Sequence, residues 1–186
     1  MNFEYNILMF IKEHFTNPFM NEFMPFISNL DTFGAIWILL CITLLATKRT
    51  RHIGIFLAIS LILDYLIGNL ALKNLVNRTR PYLTYNIPII VRAPFESSFP
   101  SGHALSSFTA AFAIYKFNKN WGISAIFLAI LIAFSRVYLF VHYPSDILAS
   151  FFLAFFVIFL TNKLYNKYYL ENLVLNEVKD PIYKNK

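Results

Sequence analysis

Three short polar strings in this chain carry the residue types that bind and transfer phosphate. They are Lys73 with Arg80 and Pro81, then Pro100-Ser101-Gly102-His103, then Ser135-Arg136 followed by His142 and Asp146. Each string lies at the end of a strongly apolar segment, so a fold built from these segments can gather cations, imidazoles and a carboxylate at one membrane surface. The pattern predicts a phosphate-handling site.

The first string offers two cations. Lys73 and Arg80 are seven residues apart, so they share a helix face if the helix continues for two turns; otherwise the intervening loop must fold back to bring them together. The Arg fork can grip two phosphate oxygens, and Lys adds a compact charge. By themselves, two basic residues beside an apolar segment are equally typical of side chains that extend to the headgroup layer.

The second string is typical of a helix start that binds an anion. Ser101 is a good N-cap, Gly102 allows close approach of the backbone, and the free amides of a first turn favour negative charge. His103 could protonate a leaving oxygen or hydrogen-bond a lipid headgroup.

The third string offers a nucleophile. Asp146 follows His142 by four residues, close enough to accept one ring N–H and leave the other nitrogen free to attack phosphorus. An ordinary histidine has a pKa of about 6.5, so the neutral form is available. Alternatively, Asp146 is only a helix N-terminal charge and His142 an interfacial residue.

Taken together, the three strings resemble the signature of the type 2 phosphatidic acid phosphatase superfamily, and the resemblance spans about residues 30 to 165. It implies that His142 attacks phosphorus to form a phosphohistidine, that Asp146 orients it, and that His103 protonates the leaving oxygen and later assists water. It further implies that the phosphoryl oxygens are held by Lys73, Arg80, Ser101, Gly102 and Arg136.

The composition indicates a membrane protein with one domain. Hydrophobic residues make up 58% of the 186 residues and charged residues 14%, and the mean hydropathy is +0.55, which is too apolar for an ordinary soluble domain. The net charge of +6 comes mainly from Lys and Arg in short connections, as in membrane anchors, so no nucleic-acid partner is expected.

The apolar segments predict an all-α, polytopic transmembrane helical bundle of five spans plus an N-terminal interfacial helix, six helices in all. Residues 1–30 form the interfacial amphipathic segment, 31–165 the membrane domain and 166–186 a polar cytoplasmic tail. The small residues of the third span suggest that it is buried in the centre of the bundle. The five spans are residues 32–47, 53–72, 104–117, 121–141 and 146–165.

Basic residues predict the orientation. They cluster in the loop near 48–51, the loop near 116–119 and the region after 163, which puts these connections in the cytoplasm of a bacterial cell and the three polar strings outside it. We expect a multi-pass protein of the plasma membrane whose active site faces the extracytoplasmic side.

No metal or other cofactor is predicted. Between the second span and the last, the acidic residues are Asp64, Glu96 and Asp146, and no paired carboxylates suit a two-metal phosphatase. The resemblance implies that three basic side chains take the place of a metal ion. For Asp64, in mid-span, we expect a structural hydrogen bond.

The expected partner is a phosphorylated lipid that enters the site from the membrane; no obligate protein partner is predicted. The resemblance is closest to small bacterial members that convert undecaprenyl diphosphate to undecaprenyl phosphate. Phosphatidylglycerophosphate, phosphatidic acid and lipid A phosphates stay open as substrates. So do transfer to an acceptor other than water and a non-catalytic protein that binds or transports a lipid phosphate, although an oriented imidazole favours catalysis.

Overall fold

The computed structural model describes residues 3–170, which form a helical bundle without a strand. A 3₁₀ turn, Thr32–Gly34, precedes α3; a π-helical stretch, Tyr65–Leu72, joins α4 to α5; and another, Tyr165–Leu170, extends α9. The α-helices of this part of the chain are α1 (Phe3–Phe15), α2 (Pro18–Leu30), α3 (Ala35–Ala46), α4 (Arg51–Asp64), α5 (Lys73–Val76), α6 (Pro81–Thr84), α7 (Gly102–Phe117), α8 (Lys119–Tyr138) and α9 (Pro144–Leu164).

Three helical stretches are long and apolar enough to cross a membrane: Arg51–Thr84, Lys119–Tyr138 and Pro144–Tyr169. A fourth span is present if α2 and the stretch Thr32–Ala46, which meet at a bend of 40°, are counted as one broken span. The all-helical membrane bundle is therefore confirmed. The count of five spans with a separate interfacial helix stays a prediction, because α7 has 16 residues, fewer than a span usually needs.

Helix α7 forms the centre of the bundle, as its small residues predict. It packs against α3, α4, α8 and α9, and Ala104, Leu105, Ala110 and Ala111 are fully buried along it. Close packing on α8 depends on Gly122, where an added Cβ would lie 2.3 Å from Cα of Tyr115. Small residues at such contacts let helix backbones approach closely in lipid.

The N-terminal helix contacts the bundle with one side, whereas an interfacial amphipathic segment over residues 1–30 stays a prediction. Leu8 and Ile11 of α1 are buried, whereas Phe3 and Phe10 are exposed, and α1 packs against α8 and α9. At the other end of the chain, the predicted tail begins as a helical extension of α9 as far as residue 170; its remainder, residues 171–186, lies outside the described residues.

Candidate active site

The three polar strings meet at one end of the bundle, around a cavity of about 1120 Å³. Two of the predicted residues do not line this cavity: Ser101 and Asp146 lie behind its wall and are fully buried. The other six predicted residues line it, namely Lys73, Arg80, Gly102, His103, Arg136 and His142.

The segment after Lys73 folds back on itself. Helix α5 ends at Val76, and Asn77 adopts a left-handed conformation with φ 44°, which breaks the helix. Arg80 is extended at the start of α6. Of the two arrangements that the spacing left open, the structure therefore has the folded loop and not one continuous helix.

Arg80 is held by backbone carbonyls and points at the imidazole of His142. Its Nη1 donates to the carbonyl of Val141 at 2.7 Å and lies 3.2 Å from Nε2 of His142. Its Nε and Nη2 donate to the carbonyls of Glu96 at 2.7 Å and Ser97 at 3.3 Å. Since these partners carry no net charge, the positive charge of Arg80 stays available for an anion.

Lys73 is buried and forms an ion pair with Glu96. The Glu96 side chain is 64% exposed, and its carboxylate is the kind of group that a phosphate oxygen can replace on an ammonium ion. The next residue, Ser97, donates its hydroxyl to the carbonyl of Lys73 at 2.9 Å. The loop that carries Glu96 is thereby fastened beside the cavity.

Helix α7 begins as its sequence predicts. The Ser101 side chain accepts a hydrogen bond from the amide of Ala104 at 3.4 Å, and the amides of Gly102 and His103 have no partner among residues 3–170. A Cβ on Gly102 would lie 3.1 Å from Oδ1 of Asn69 and 3.6 Å from Nζ of Lys73. Glycine thus lets the helix start approach the lysine charge.

Ser150, which the sequence did not single out, fixes this helix start to α9. Its hydroxyl accepts from the Ser101 amide at 3.0 Å and lies 3.1 Å from the Ser101 carbonyl. Ser150 is four residues beyond Asp146, hence on the same helix face, and that spacing is the signal that could have found it.

A tight turn explains the spacing between Arg136 and His142. Helix α8 ends at Tyr138, Phe140 takes a left-handed conformation with φ 58°, and the amides of Val141 and His142 both donate to the Arg136 carbonyl at 3.2 Å. The turn returns His142 to the end of the helix that carries Arg136. Both side chains consequently line the same cavity.

Asp146 lies against His142, although not in the hydrogen bond that the spacing predicts. Its Oδ2 is 3.5 Å from Nδ1 of His142, an atom with no hydrogen-bond partner among the described residues. Oδ2 instead accepts from the Tyr143 amide at 2.9 Å and from the Ser98 hydroxyl. A shift of about half an ångström would close the His–Asp contact into a hydrogen bond.

The imidazole of His142 is poised in its neutral form. Burial lowers its pKa from 6.5 to about 3; the charges of Arg80 and Arg136 act in the same direction, and Asp146 opposes them. A neutral ring keeps one nitrogen lone pair, which nucleophilic attack requires. The ring of His103 lines the same cavity.

The deeper wall of the cavity contains two carboxylates, Asp31 and Asp64. Asp31 accepts hydrogen bonds from Ser106 at 2.6 Å and Ser107 at 3.3 Å. The hydrogen bond expected for Asp64 is absent from residues 3–170, and its Oδ1, like that of Asp31, is buried without a partner. Sequence reasoning missed Asp31, which occupies the bend between α2 and the turn before α3.

The guanidinium of Arg136 reaches across to α2. Its Nη1 donates to the hydroxyl of Ser28, and its Nε is buried without a partner in the described residues. Asp31 is the nearby carboxylate that offsets part of its charge. Like Arg80, Arg136 therefore retains a donor for an incoming anion.

The cavity continues as an apolar groove between α3 and α4. Six apolar lining residues belong to these helices: Ile38, Cys41, Ile42, Ala58, Leu61 and Ile62. A cavity with one polar part and one apolar part fits a ligand that has a phosphate at one end and a hydrocarbon chain at the other. Within residues 3–170, no three His, Cys, Asp or Glu side chains converge on a point that could hold a metal ion.

A family model described as PAP2 superfamily matches residues 53–169. An undecaprenyl-diphosphatase of Sulfolobus acidocaldarius is 35% identical over 136 residues, or 72% of this chain and 65% of that protein. A lipid A 1-phosphatase of Rhizobium johnstonii is 33% identical over 121 residues, or 58% of this chain and 48% of that protein. The chain thus spans between about half and two thirds of the length of these curated relatives.

The fold is also that of a solved membrane protein. A transmembrane PAP2 type phosphatidylglycerolphosphate phosphatase from Bacillus subtilis superposes with a TM-score of 0.71 at 24% identity, covering 89% of this chain and 85% of that one. At this identity the likeness concerns the fold alone.

Proposed function

Because the chain belongs to the PAP2 superfamily, we propose that it is an integral membrane lipid phosphatase that works without a metal ion through a phosphohistidine. The observation that carries the proposal is the 3.2 Å approach of Arg80 Nη1 to His142 Nε2 in a cavity shared with Lys73 and Arg136. A phosphoryl group bound by these cations would lie against a nucleophilic nitrogen.

The first half-reaction transfers the phosphoryl group to the protein. Burial, together with the charges around the cavity, lowers the pKa of His103 to about 2, so this ring must take up a proton as the negatively charged phosphate enters. Nε2 of His142 then attacks phosphorus, the bond from phosphorus to the leaving oxygen breaks, and His103 gives that proton to the leaving oxygen. Arg80, Arg136, Lys73 and the free amides at the start of α7 stabilise the charge on the equatorial oxygens, which is the main demand of phosphoryl transfer.

The second half-reaction regenerates the enzyme. Water attacks the phosphohistidine, His103 accepts the water proton, the N–P bond breaks, and inorganic phosphate leaves. His142 returns to its neutral form with Asp146 beside Nδ1. The two histidines therefore have different tasks: His142 is the nucleophile, and His103 is first the acid and then the base.

For the substrate we propose undecaprenyl diphosphate, with undecaprenyl phosphate as the leaving group. The apolar groove between α3 and α4 supports a substrate with a hydrocarbon chain, and the Sulfolobus relative carries the name undecaprenyl-diphosphatase. The competing substrates are phosphatidylglycerophosphate, phosphatidic acid and a lipid A phosphate, the last favoured by the Rhizobium relative. The same site would also suit phosphotransfer to an acceptor besides water, or binding or transport of a lipid phosphate without turnover.

Purified full-length protein in detergent tests the proposal. It should release inorganic phosphate from at least one member of a panel of these four lipids in the presence of EDTA, and vanadate should inhibit it. The His142→Ala variant is the negative control. Binding of every lipid without phosphate release would overturn the enzymatic proposal, and a newly phosphorylated lipid would indicate phosphotransfer.

We also propose that the site faces the outside of the cell, in the plasma membrane of a bacterium. The basic loops at the opposite end of the bundle support this orientation. Two single-cysteine variants test this orientation, Phe95→Cys and Lys48→Cys. Phe95 is 92% exposed near the cavity, and Lys48 lies in the loop at the opposite end of the bundle. In a Cys41→Ala background, a membrane-impermeant maleimide should label only the cysteine at 95 in intact cells; labelling of only the cysteine at 48 would reverse the orientation.

A further inference from the structure

Arg78 differs from the other basic residues of the site because it does not line the cavity. Its Nη1 donates to Oδ1 of Asp146 at 2.6 Å and to the Ser145 hydroxyl at 2.7 Å. Its Nη2 donates to Oε2 of Glu4 at 2.6 Å, and the guanidinium lies 3.8 Å from the centre of the Tyr143 ring. Arg78 is thus surrounded by two carboxylates and an aromatic face.

Glu4 brings the N-terminal helix into this arrangement. It lies in the first turn of α1, and its Oε1 accepts from the Ser145 hydroxyl at 2.5 Å and the Ser145 amide at 3.3 Å. One carboxylate therefore holds Arg78 with one oxygen and the first turn of α9 with the other.

The carboxylate of Asp146 is fully buried, so its orientation depends on the donors that surround it. Oδ1 is held by Arg78. Oδ2 accepts from the Ser98 hydroxyl and the Tyr143 amide and faces Nδ1 of His142. Arg78 is the cation in contact with this carboxylate among the described residues, and its bond fixes the rotation that presents Oδ2 to the imidazole.

We propose that Glu4 and Arg78 are positioning residues for the nucleophile: Glu4 fixes Arg78, Arg78 fixes Asp146, and Asp146 holds His142 with Nδ1 protonated and Nε2 free. The proposal rests on the proposed function in taking His142 as the nucleophile. Neither residue touches the substrate. The N-terminal helix then supports the active site itself besides packing on the bundle.

The variants are chosen to separate positioning from folding. Arg78→Ala removes the whole contact, Arg78→Lys keeps a charge without the fork, and Glu4→Gln keeps the size and removes the charge. Glu13→Gln is the matched control, because Glu13 lies on the same helix and is exposed. Each variant is measured as purified full-length protein.

The kinetic signature of positioning is a fall in kcat with little change in KM, because the phosphate-binding cations stay in place. We expect Arg78→Ala to lower kcat about 10²-fold. We expect Glu4→Gln to lower kcat about tenfold, because the amide oxygen of the introduced Gln still accepts a hydrogen bond, although a weaker one than the carboxylate of Glu4 accepts. Arg78→Lys should recover part of the loss. The double variant Glu4→Gln/Arg78→Ala should be no slower than Arg78→Ala, since residues in one network do not contribute additively.

The tautomer of His142, measured by NMR, tests the positioning role without a measurement of turnover. The chain has four histidines, so ¹⁵N-histidine labelling gives a simple NMR spectrum in which His142→Ala identifies the His142 signals. The intact protein and Glu13→Gln should show His142 with the proton on Nδ1. Arg78→Ala and Glu4→Gln should show a mixture of the two tautomers.

The results separate the two proposals. An unchanged tautomer together with an unchanged kcat in Glu4→Gln and Arg78→Lys would overturn the positioning role, even if Arg78→Ala failed to fold. A changed tautomer in a protein that releases no phosphate from any lipid would uphold the positioning role and reject the phosphatase.

Discussion

Nη1 of Arg80 lies 3.2 Å from Nε2 of His142, although the two residues are 62 positions apart in the chain. Three backbone carbonyls, at residues 96, 97 and 141, hold the guanidinium in this place. The contact aligns a fixed positive charge with the nitrogen that would attack phosphorus. Substitutions that disturb this alignment should therefore slow the transfer of the phosphoryl group.

Arg80 should tolerate no substitution, including lysine. Arg80→Ala removes a donor aimed at the transferring phosphoryl group, a loss of about 10²–10³-fold in kcat. Arg80→Lys should recover little of it, because an ammonium ion cannot bond three carbonyls and the phosphate together. Steady-state phosphate release measures both, with Arg49→Lys in the exposed loop between α3 and α4 as the control. Near-normal kcat in Arg80→Lys would show that only charge matters here.

Removal of the Glu96 carboxylate should strengthen anion binding. Glu96 pairs with Lys73, so a phosphate must compete with it. Glu96→Gln should lower the vanadate concentration needed for half inhibition by about two- to fivefold, a modest change because the Glu96 side chain is 64% exposed. Weaker vanadate inhibition would mean that Glu96 helps to hold Lys73 in its binding position.

His103 and His142 should fail in different ways when replaced. His103→Ala removes the proposed general acid, a loss of about 10²–10⁴-fold with a lipid phosphate. Part of this loss should disappear with a phosphate ester whose leaving group needs no proton, such as p-nitrophenyl phosphate. Rapid-mixing measurement of phosphoenzyme formation tests this difference. An equal loss on both substrates would exclude the acid role.

The ring of His142 should become protonated at a lower pH than the ring of an ordinary histidine. Its pKa is lowered to about 3, whereas in the unfolded chain it is about 6.5. Between these values the unfolded state binds the extra proton, so the free energy of unfolding should fall as pH falls from about 6.5 toward 3. A ¹⁵N NMR titration in detergent should find His142 neutral at pH 5. Half protonation near pH 6.5 would contradict the burial that the structure gives this ring.

Local spacing predicted the parts of the site that lie within one turn. Ser101 caps α7 as expected because its side chain needs only the amide three residues on. His142 and Asp146 are neighbours because they are four residues apart, and the turn before α9 and the first turn of α9 fix the backbone between them. The central position of α7 followed from its small side chains, which bundle packing in lipid requires.

The spacing of residues in the sequence could not predict contacts between distant segments. Arg78 is two residues before Arg80 and has the same charge, yet it bonds Asp146, 68 residues away, and Glu4, 74 residues away. Asp31 similarly meets Ser106 across 75 residues. Whether a basic side chain faces the cavity or a buried carboxylate depends on how the loop folds, and the break at Asn77 decides it.

The most direct test of the account is to trap and locate the phosphoenzyme. The protein is mixed with ³²P-labelled lipid phosphate in EDTA, quenched in alkali to preserve an N–P bond, digested and sequenced by mass spectrometry. We predict phosphate on the imidazole of His142 and no label in His142→Ala. Label on any other residue, or label that forms only when a divalent metal is added, would contradict the proposed mechanism.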